Sequence, residues 1–164
     1  MAEAWSGRVA DGLRQLEEGI RHADALRILS RHALRLTWLA EACLLAGRVD
    51  EAVIAAREAH RLAAEHEEKG YAAGALRMLG EAAARSGGAE AVKAAELHAG
   101  ALASARALGM RPLEALCHLG LGSLARRVGD GGQAKDRLTV ATTLLREMDM
   151  RHWLIQAEEA LAAG

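Results

Sequence analysis

The stretch "HLGLGSLARRVGD" (118–130) has two competing interpretations, and the choice between them decides the fold. Gly120, Gly122 and Ala125 give the pattern G-x-G-x-x-A, which can mark a turn that cradles a dinucleotide pyrophosphate. Such a turn must follow a β-strand and open a helix. The preceding "PLEALCHL" (112–119) instead predicts a helix, because proline fits the first helical position. We therefore expect the stretch to lie within a helix and to bind no cofactor.

Two further segments repeat this pattern, "WLAEACLLAGRVDEA" (38–52) and "MLGEAAARSGGAEAVKA" (78–94). In each copy a leucine is followed eight residues later by a glycine, and two alanines seven residues apart come after it. We expect the glycine to end one helix in a left-handed turn and the alanines to let a second helix pack closely. The leucines are Leu39, Leu79 and Leu121, the glycines Gly47, Gly87 and Gly129, and the alanines Ala52, Ala59, Ala94, Ala101, Ala134 and Ala141.

The copied helix–turn–helix unit predicts an all-α fold, an α-solenoid of antiparallel helix pairs in a single domain over 1–164. In this interpretation Gly122 is a packing glycine and Gly120 an incidental small residue beside it. The solenoid has about 3.5 repeats and a C-terminal capping helix. Its predicted parts are a half repeat at 8–22, full units at 31–69, 72–108 and 112–147, and the cap at 150–162.

The composition favours helices and a soluble chain. Hydrophobic residues make up 51% of the chain, phenylalanine is absent, and the β-branched residues that sheets favour are few. A net charge of −1 gives no reason to expect nucleic acid or a membrane as a partner. The N-terminus lacks the apolar core of a signal peptide, so we expect a cytoplasmic location. Cys43 and Cys117 are expected to be free thiols, because they lie far apart in the sequence.

The repeated residues resemble the tetratricopeptide repeat: the Leu-Gly pairs at 79–80 and 121–122, the turn glycines and the paired alanines. The leucines are 40 and 42 residues apart, whereas the family repeat is 34 residues long. Roughly residues 8–162 are also similar to the C-terminal repeat region of bacterial nucleotide cyclase and AAA-ATPase signalling proteins. The resemblance implies a right-handed superhelix and a non-catalytic regulatory module that binds other proteins.

In a stack of such repeats the first helices line a concave groove, and the leucine register predicts which side chains face it. For the first unit these are Thr37, Glu41 and Leu44. The predicted partner-binding residues of the next two units are Arg77, Glu81, Arg85, Leu119, Ser123, Arg126 and Arg127. A protein or peptide partner is the favoured occupant. The alternative is a sensor for a small anionic ligand, whose carboxylate or phosphate the arginines would hold.

A second interpretation of these arginines remains open. Arg85, Arg126 and Arg127 lie in the last turns of predicted helices, where cations stabilise the helix dipole.

The half repeat predicts self-association. A second helix without its first helix would leave an apolar face exposed, and such faces usually find a partner. The residues of that face are Trp5, Leu13, Leu16 and Ile20, and a homodimer through the N-terminal helix is one possible assembly.

No catalytic, cofactor-binding or metal-binding residues are predicted, and we do not expect an enzyme. The seven histidines show neither HxxxH nor HExxH spacing. His98 and His118 could meet across adjacent units, but metal sites usually need three or four ligands.

Overall fold

The computed structural model describes residues 8–28, 30–86 and 88–163, without the side chains of 88–91. These residues form eight helices and no β-strand. Successive helices pack against one another in chain order, which confirms the all-α fold for the described part of the chain. The helices are α1 (Val9–Ala25), α2 (His32–Leu45), α3 (Val49–Glu65), α4 (Lys69–Ser86), α5 (Gly88–Ala107), α6 (Arg111–Arg127), α7 (Gly131–Glu147) and α8 (Arg151–Ala162).

Six turns between helices share one hydrogen-bond pattern, and the predicted turn glycine Gly87 lies outside the described residues. After α6 the amide of Gly129 donates to the carbonyl of Arg126 at 3.1 Å, and the amide of Asp130 donates to the carbonyl of Ala125 at 3.0 Å. Gly129 has a φ of +81°, which supports its predicted role as a turn glycine, because residues with a Cβ resist this conformation. Glu67 makes the same kind of turn after α3 although it is not a glycine.

The paired alanines bring the second helices close to their neighbours. All six of the predicted alanines are buried, as the repeat pattern requires. Gly122 has a similar purpose on α6, since a Cβ at this position would lie 2.7 Å from Cγ of Leu138 on α7. The small residues of the repeat therefore set the distance between the two helices of a unit.

The first helices of successive units form one continuous row. Besides its partner in the same unit, α2 contacts α4, α4 contacts α6, and α6 contacts α8. The C-terminal helix α8 buries Ala157 and Ala160 in the same apolar cluster as Leu119 and Leu138. It therefore covers the end of the third unit and extends the row of first helices.

The N-terminal helix α1 corrects one expectation. Leu13 and Ile20 are buried and Leu16 is half-buried, so the prediction that they form an exposed apolar face is wrong. The physical reason is that α1 packs on α2 as a second helix would, which places Leu13 with Cys43 and Ile20 with Leu36 in the core. The structure gives no support to a homodimer through this face. Trp5 lies outside the described residues.

Candidate functional site

The row of first helices borders an open cavity of about 430 Å³. Its lining includes residues of α2, α4, α6 and α8, together with His98 of α5. Glu41 and Leu44 line it as predicted, whereas Thr37 does not and donates its hydroxyl to the carbonyl of Ala33. All seven residues predicted to bind a partner lie on this one cavity: Arg77, Glu81, Arg85, Leu119, Ser123, Arg126 and Arg127. Their role in binding remains a prediction.

Arg77 lies between two carboxylates and is only 6% exposed. Its Nη2 is 3.6 Å from Oε1 of Glu41, and its Nη1 is 3.9 Å from Oε1 of Glu81. Both contacts join opposite charges and are ion pairs, and both distances exceed that of an ordinary hydrogen bond. Nη2 also lies 3.9 Å from Sδ of Met78. Arg77 is therefore charge-compensated within the chain and is a poor candidate for holding an anion.

His98 completes a group of polar residues on the cavity, which we call the polar floor: Glu41, Arg77, Glu81 and His98. The imidazole is fully buried, and its Nε2 lies 3.8 Å from Oε1 of Glu81. Burial lowers the pKa of His98, although the Glu81 carboxylate opposes the shift. Burial likewise raises the pKa of Glu41, with Arg77 acting in the opposite direction. The floor therefore holds two carboxyl groups and one guanidinium beside an imidazole whose neutral form burial favours.

Two glycines make room for this imidazole. A Cβ at Gly80 of α4 would lie 2.9 Å from Cδ2 of His98, and a Cβ at Gly120 of α6 would lie 2.7 Å from its Nε2. The expectation that Gly120 is incidental is therefore wrong. Its missing side chain is the space in which a histidine of the previous unit packs.

The polar floor holds buried atoms without hydrogen-bond partners. Within the part of the chain that the structure describes, these are Oε1 of Glu41, Nε of Arg77 and both ring nitrogens of His98. Buried polar groups in proteins are almost always paired. Such a concentration beside an open cavity indicates a place where polar groups of a bound molecule could pair with them.

Three arginines at the cavity, which we call the arginine edge, bind the ends of neighbouring first helices. Nη1 of Arg127 donates to the carbonyl of Ala84 at 2.8 Å, and Nη1 of Arg126 donates to that of Ala160 at 3.1 Å. Arg85 donates in the same way to the carbonyl of Leu44. The three arginines lie in the last turns of their own helices, as the helix-dipole interpretation predicts. Each of them, however, donates to a carbonyl in the last turn of a neighbouring helix.

The residues of α8 on the cavity were not foreseen. Trp153, Gln156 and Glu159 line it, and the ring centroid of Trp153 is 6.0 Å from Cζ of Arg77. The sequence contained a signal for them, because "DMR" (149–151) repeats "GMR" (109–111) at the start of another first helix. Treating α8 only as a cap concealed its contribution to the groove.

The reactive residue types elsewhere have structural surroundings. Cys43 and Cys117 are buried free thiols, and burial raises the pKa of Cys117 to about 12. Nε2 of His118 lies 3.1 Å from Nη2 of Arg106, whereas Nε2 of His98 lies 3.8 Å from Oε1 of Glu81. Among the described residues, no three His, Cys, Asp or Glu side chains are grouped so that they could hold a metal ion.

No protein-family model matches this chain, and no curated protein sequence matches it. In the described ranges no helix combines the length and the apolar character of a membrane span. Fold and site together define an all-helical protein of repeat-like architecture, whose row of first helices carries a charged, open groove.

Proposed function

We propose that this chain is a non-catalytic binding module, a right-handed solenoid of the tetratricopeptide type, that holds a segment of a protein partner in its groove. The observation that carries the proposal is that four successive first helices contribute to one open cavity. Packed helices typically lie about 9 Å apart, so a row of four helices spans about 27 Å. An extended segment of about eight residues has that length. The resemblance to signalling proteins suggests a regulatory role beside an enzyme.

The chemistry of the lining supports a peptide. The more accessible apolar side chains of Leu45 and Trp153 line the cavity together with the polar floor and the arginine edge. A peptide offers apolar, acidic and basic side chains in one molecule and can match such a mixture. A small ligand is better served by an enclosed pocket that buries most of its surface.

The alternative, a sensor for a small anionic ligand, rests on the four arginines of the lining. Its support is weaker, because Arg77 is paired with two carboxylates and the arginine edge already donates to backbone carbonyls. Thermal unfolding with inorganic phosphate and with citrate tests it. The sensor predicts a rise in Tm that Arg85→Gln diminishes, and an unchanged Tm with both anions would reject it.

Selection from a phage-displayed octapeptide library tests the peptide proposal. Ser123 of α6 lines the cavity and is only half-buried, so Ser123→Trp should fill the groove without disturbing the core. Thr139 of α7 is exposed and does not line the cavity, and Thr139→Trp is the matched control. We expect peptides whose Kd is unchanged by the control and at least tenfold weaker for Ser123→Trp. Failure to find any peptide that distinguishes the two variants would overturn the proposal.

A further inference from the structure

We propose that the polar floor, formed by Glu41, Arg77, Glu81 and His98, is a subsite for one basic side chain, lysine or arginine, of the bound segment. The inference rests on the proposed function, because it assigns the chemistry of one position within the same groove.

The carboxyl groups of the floor favour a cation. Glu41 and Glu81 bring two carboxyl groups to the floor and Arg77 brings one guanidinium, while burial favours the neutral form of His98. Glu81 is the most accessible of the four, with 27% of its side chain exposed. It can therefore accept hydrogen bonds from a group that enters the cavity. A lysine ammonium or an arginine guanidinium supplies donors only, which matches carboxylate acceptors.

The geometry of the floor leaves its acceptors unsaturated. The ion pairs of Arg77 with Glu41 and Glu81 measure 3.6 and 3.9 Å, and the contact of the His98 ring with Glu81 measures 3.8 Å, all beyond ordinary hydrogen-bond length. Oε1 of Glu41 is buried and receives no hydrogen bond within the described residues. A neutral imidazole has one nitrogen that accepts, and both nitrogens of His98 are likewise without a partner there. A donor-rich side chain would pair with these acceptors, whereas Nε of Arg77 and the protonated ring nitrogen of His98 are donors that it leaves unpaired.

The side of the cavity formed by α8 has a compatible character. Trp153 and Glu159 line it, and aromatic faces and carboxylates both attract cations. We therefore expect the basic residue of the segment to contact the floor on the side that Trp153 and Glu159 border.

Sequencing the octapeptides that distinguish Ser123→Trp from Thr139→Trp tests the inference. We expect lysine and arginine to be enriched at one position of these peptides. Replacing that residue with norleucine should weaken binding to the native chain at least tenfold. The same replacement should have little effect on binding to Glu81→Gln, whose neutral amide no longer attracts the cation. Glu96→Gln on the exposed surface of α5 is the control and should behave like the native chain.

The outcomes separate the two proposals. One outcome is a set of peptides whose binding Ser123→Trp weakens but in which lysine and arginine are not enriched at any position. That outcome would overturn the subsite and leave the groove as a peptide site. Equal sensitivity to norleucine in the native chain and in Glu81→Gln would also overturn the subsite. The norleucine peptide serves as a folding check, because it should bind both proteins equally well. Absence of any Ser123-dependent peptide would reject the groove and the subsite together.

Discussion

The imidazole of His98 occupies the space that Gly120 leaves open on the neighbouring helix. A Cβ at position 120 would lie 2.7 Å from Nε2 of the ring, closer than any real side-chain contact allows. This pair joins the second helix of one unit to the first helix of the next, and it places the ring on the cavity. The same two residues therefore contribute both to the packing between units and to the lining of the groove.

Gly120→Ala should destabilise the fold. Overpacking of this kind lowers the free energy of unfolding by about 2 kcal/mol, and the better helix propensity of alanine returns about 1 kcal/mol. We expect a net loss of about 1 kcal/mol in urea unfolding. Gly19→Ala is the control, because a Cβ at that helical position meets nothing within 4 Å and should stabilise the chain. Equal stabilisation by both substitutions would show that His98 does not fill this space.

Arg127→Met should loosen the contact between α4 and α6. The substitution retains much of the aliphatic stem but removes the 2.8 Å hydrogen bond to the carbonyl of Ala84. We expect the free energy of unfolding to fall by about 1 kcal/mol. Arg61→Met is the control, since Arg61 is bonded to Glu58 and Glu65 on the exposed surface of its own helix. A loss no larger than that of the control would contradict the role of Arg127 as a cap between units.

Acidification should destabilise the protein through His98. Burial, together with Arg77 and Arg127, lowers its pKa below the ordinary value of 6.5, while Glu81 opposes the shift. Below pH 6.5 the unfolded chain therefore takes up a proton that the folded chain does not, and the free energy of unfolding falls. His118 contributes with the same sign. The raised pKa of Glu41 acts in the opposite direction, since its stabilising contribution is lost as the pH rises above 4.5.

The non-titrating variant His98→Gln isolates this effect. Between pH 7.5 and 5.5 its free energy of unfolding should depend less on pH than that of the native chain, by at most about 1.4 kcal/mol per pH unit. Glu41 and His118 remain in both proteins, so the difference in slope reports mainly His98. An unchanged slope in His98→Gln would mean that the ring is protonated equally easily in both states.

The turn after α3 offers a stabilising substitution. Glu67 has a φ of +57°, a conformation that costs a residue with a Cβ about 1 kcal/mol. We expect Glu67→Gly to raise the free energy of unfolding by about that amount, and Gly129→Ala, at a φ of +81°, to lower it similarly. Gly131→Ala, without a positive φ and with nothing within 4 Å, is the control. Destabilisation by Glu67→Gly would indicate that the glutamate side chain contributes more than its strained backbone costs.

Much of the groove could be predicted because helical periodicity fixes which side chains share a face. Once Leu39, Leu79 and Leu121 set the register, the positions of Arg77 and Ser123 on the first-helix row followed from spacing alone. Contacts between units were harder, because they depend on distances that no single helix encodes. The packing of the imidazole between two glycines is one example. The arginine edge is another, since its acceptors lie 41, 34 and 43 residues away in the chain.

The N-terminal helix shows a second limit of sequence reasoning. The apolar stripe with Leu13 and Ile20 was recognised, but whether such a stripe is exposed depends on the available neighbours. Helix α1 packs chiefly on α2, and within the described residues this packing leaves both side chains buried. Periodicity therefore identified the face correctly and misjudged its environment.

Mapping the contact surface of a selected octapeptide by ¹H–¹⁵N NMR tests the central claim most directly. The peptide is titrated into the native chain, and the perturbed amides are assigned to helices. We expect the largest perturbations on α2, α4, α6 and α8, around Ser123 and Glu81, together with a shift of the Trp153 indole resonance. Perturbations concentrated on the outward faces of α3, α5 and α7, with these residues unaffected, would contradict binding in the groove.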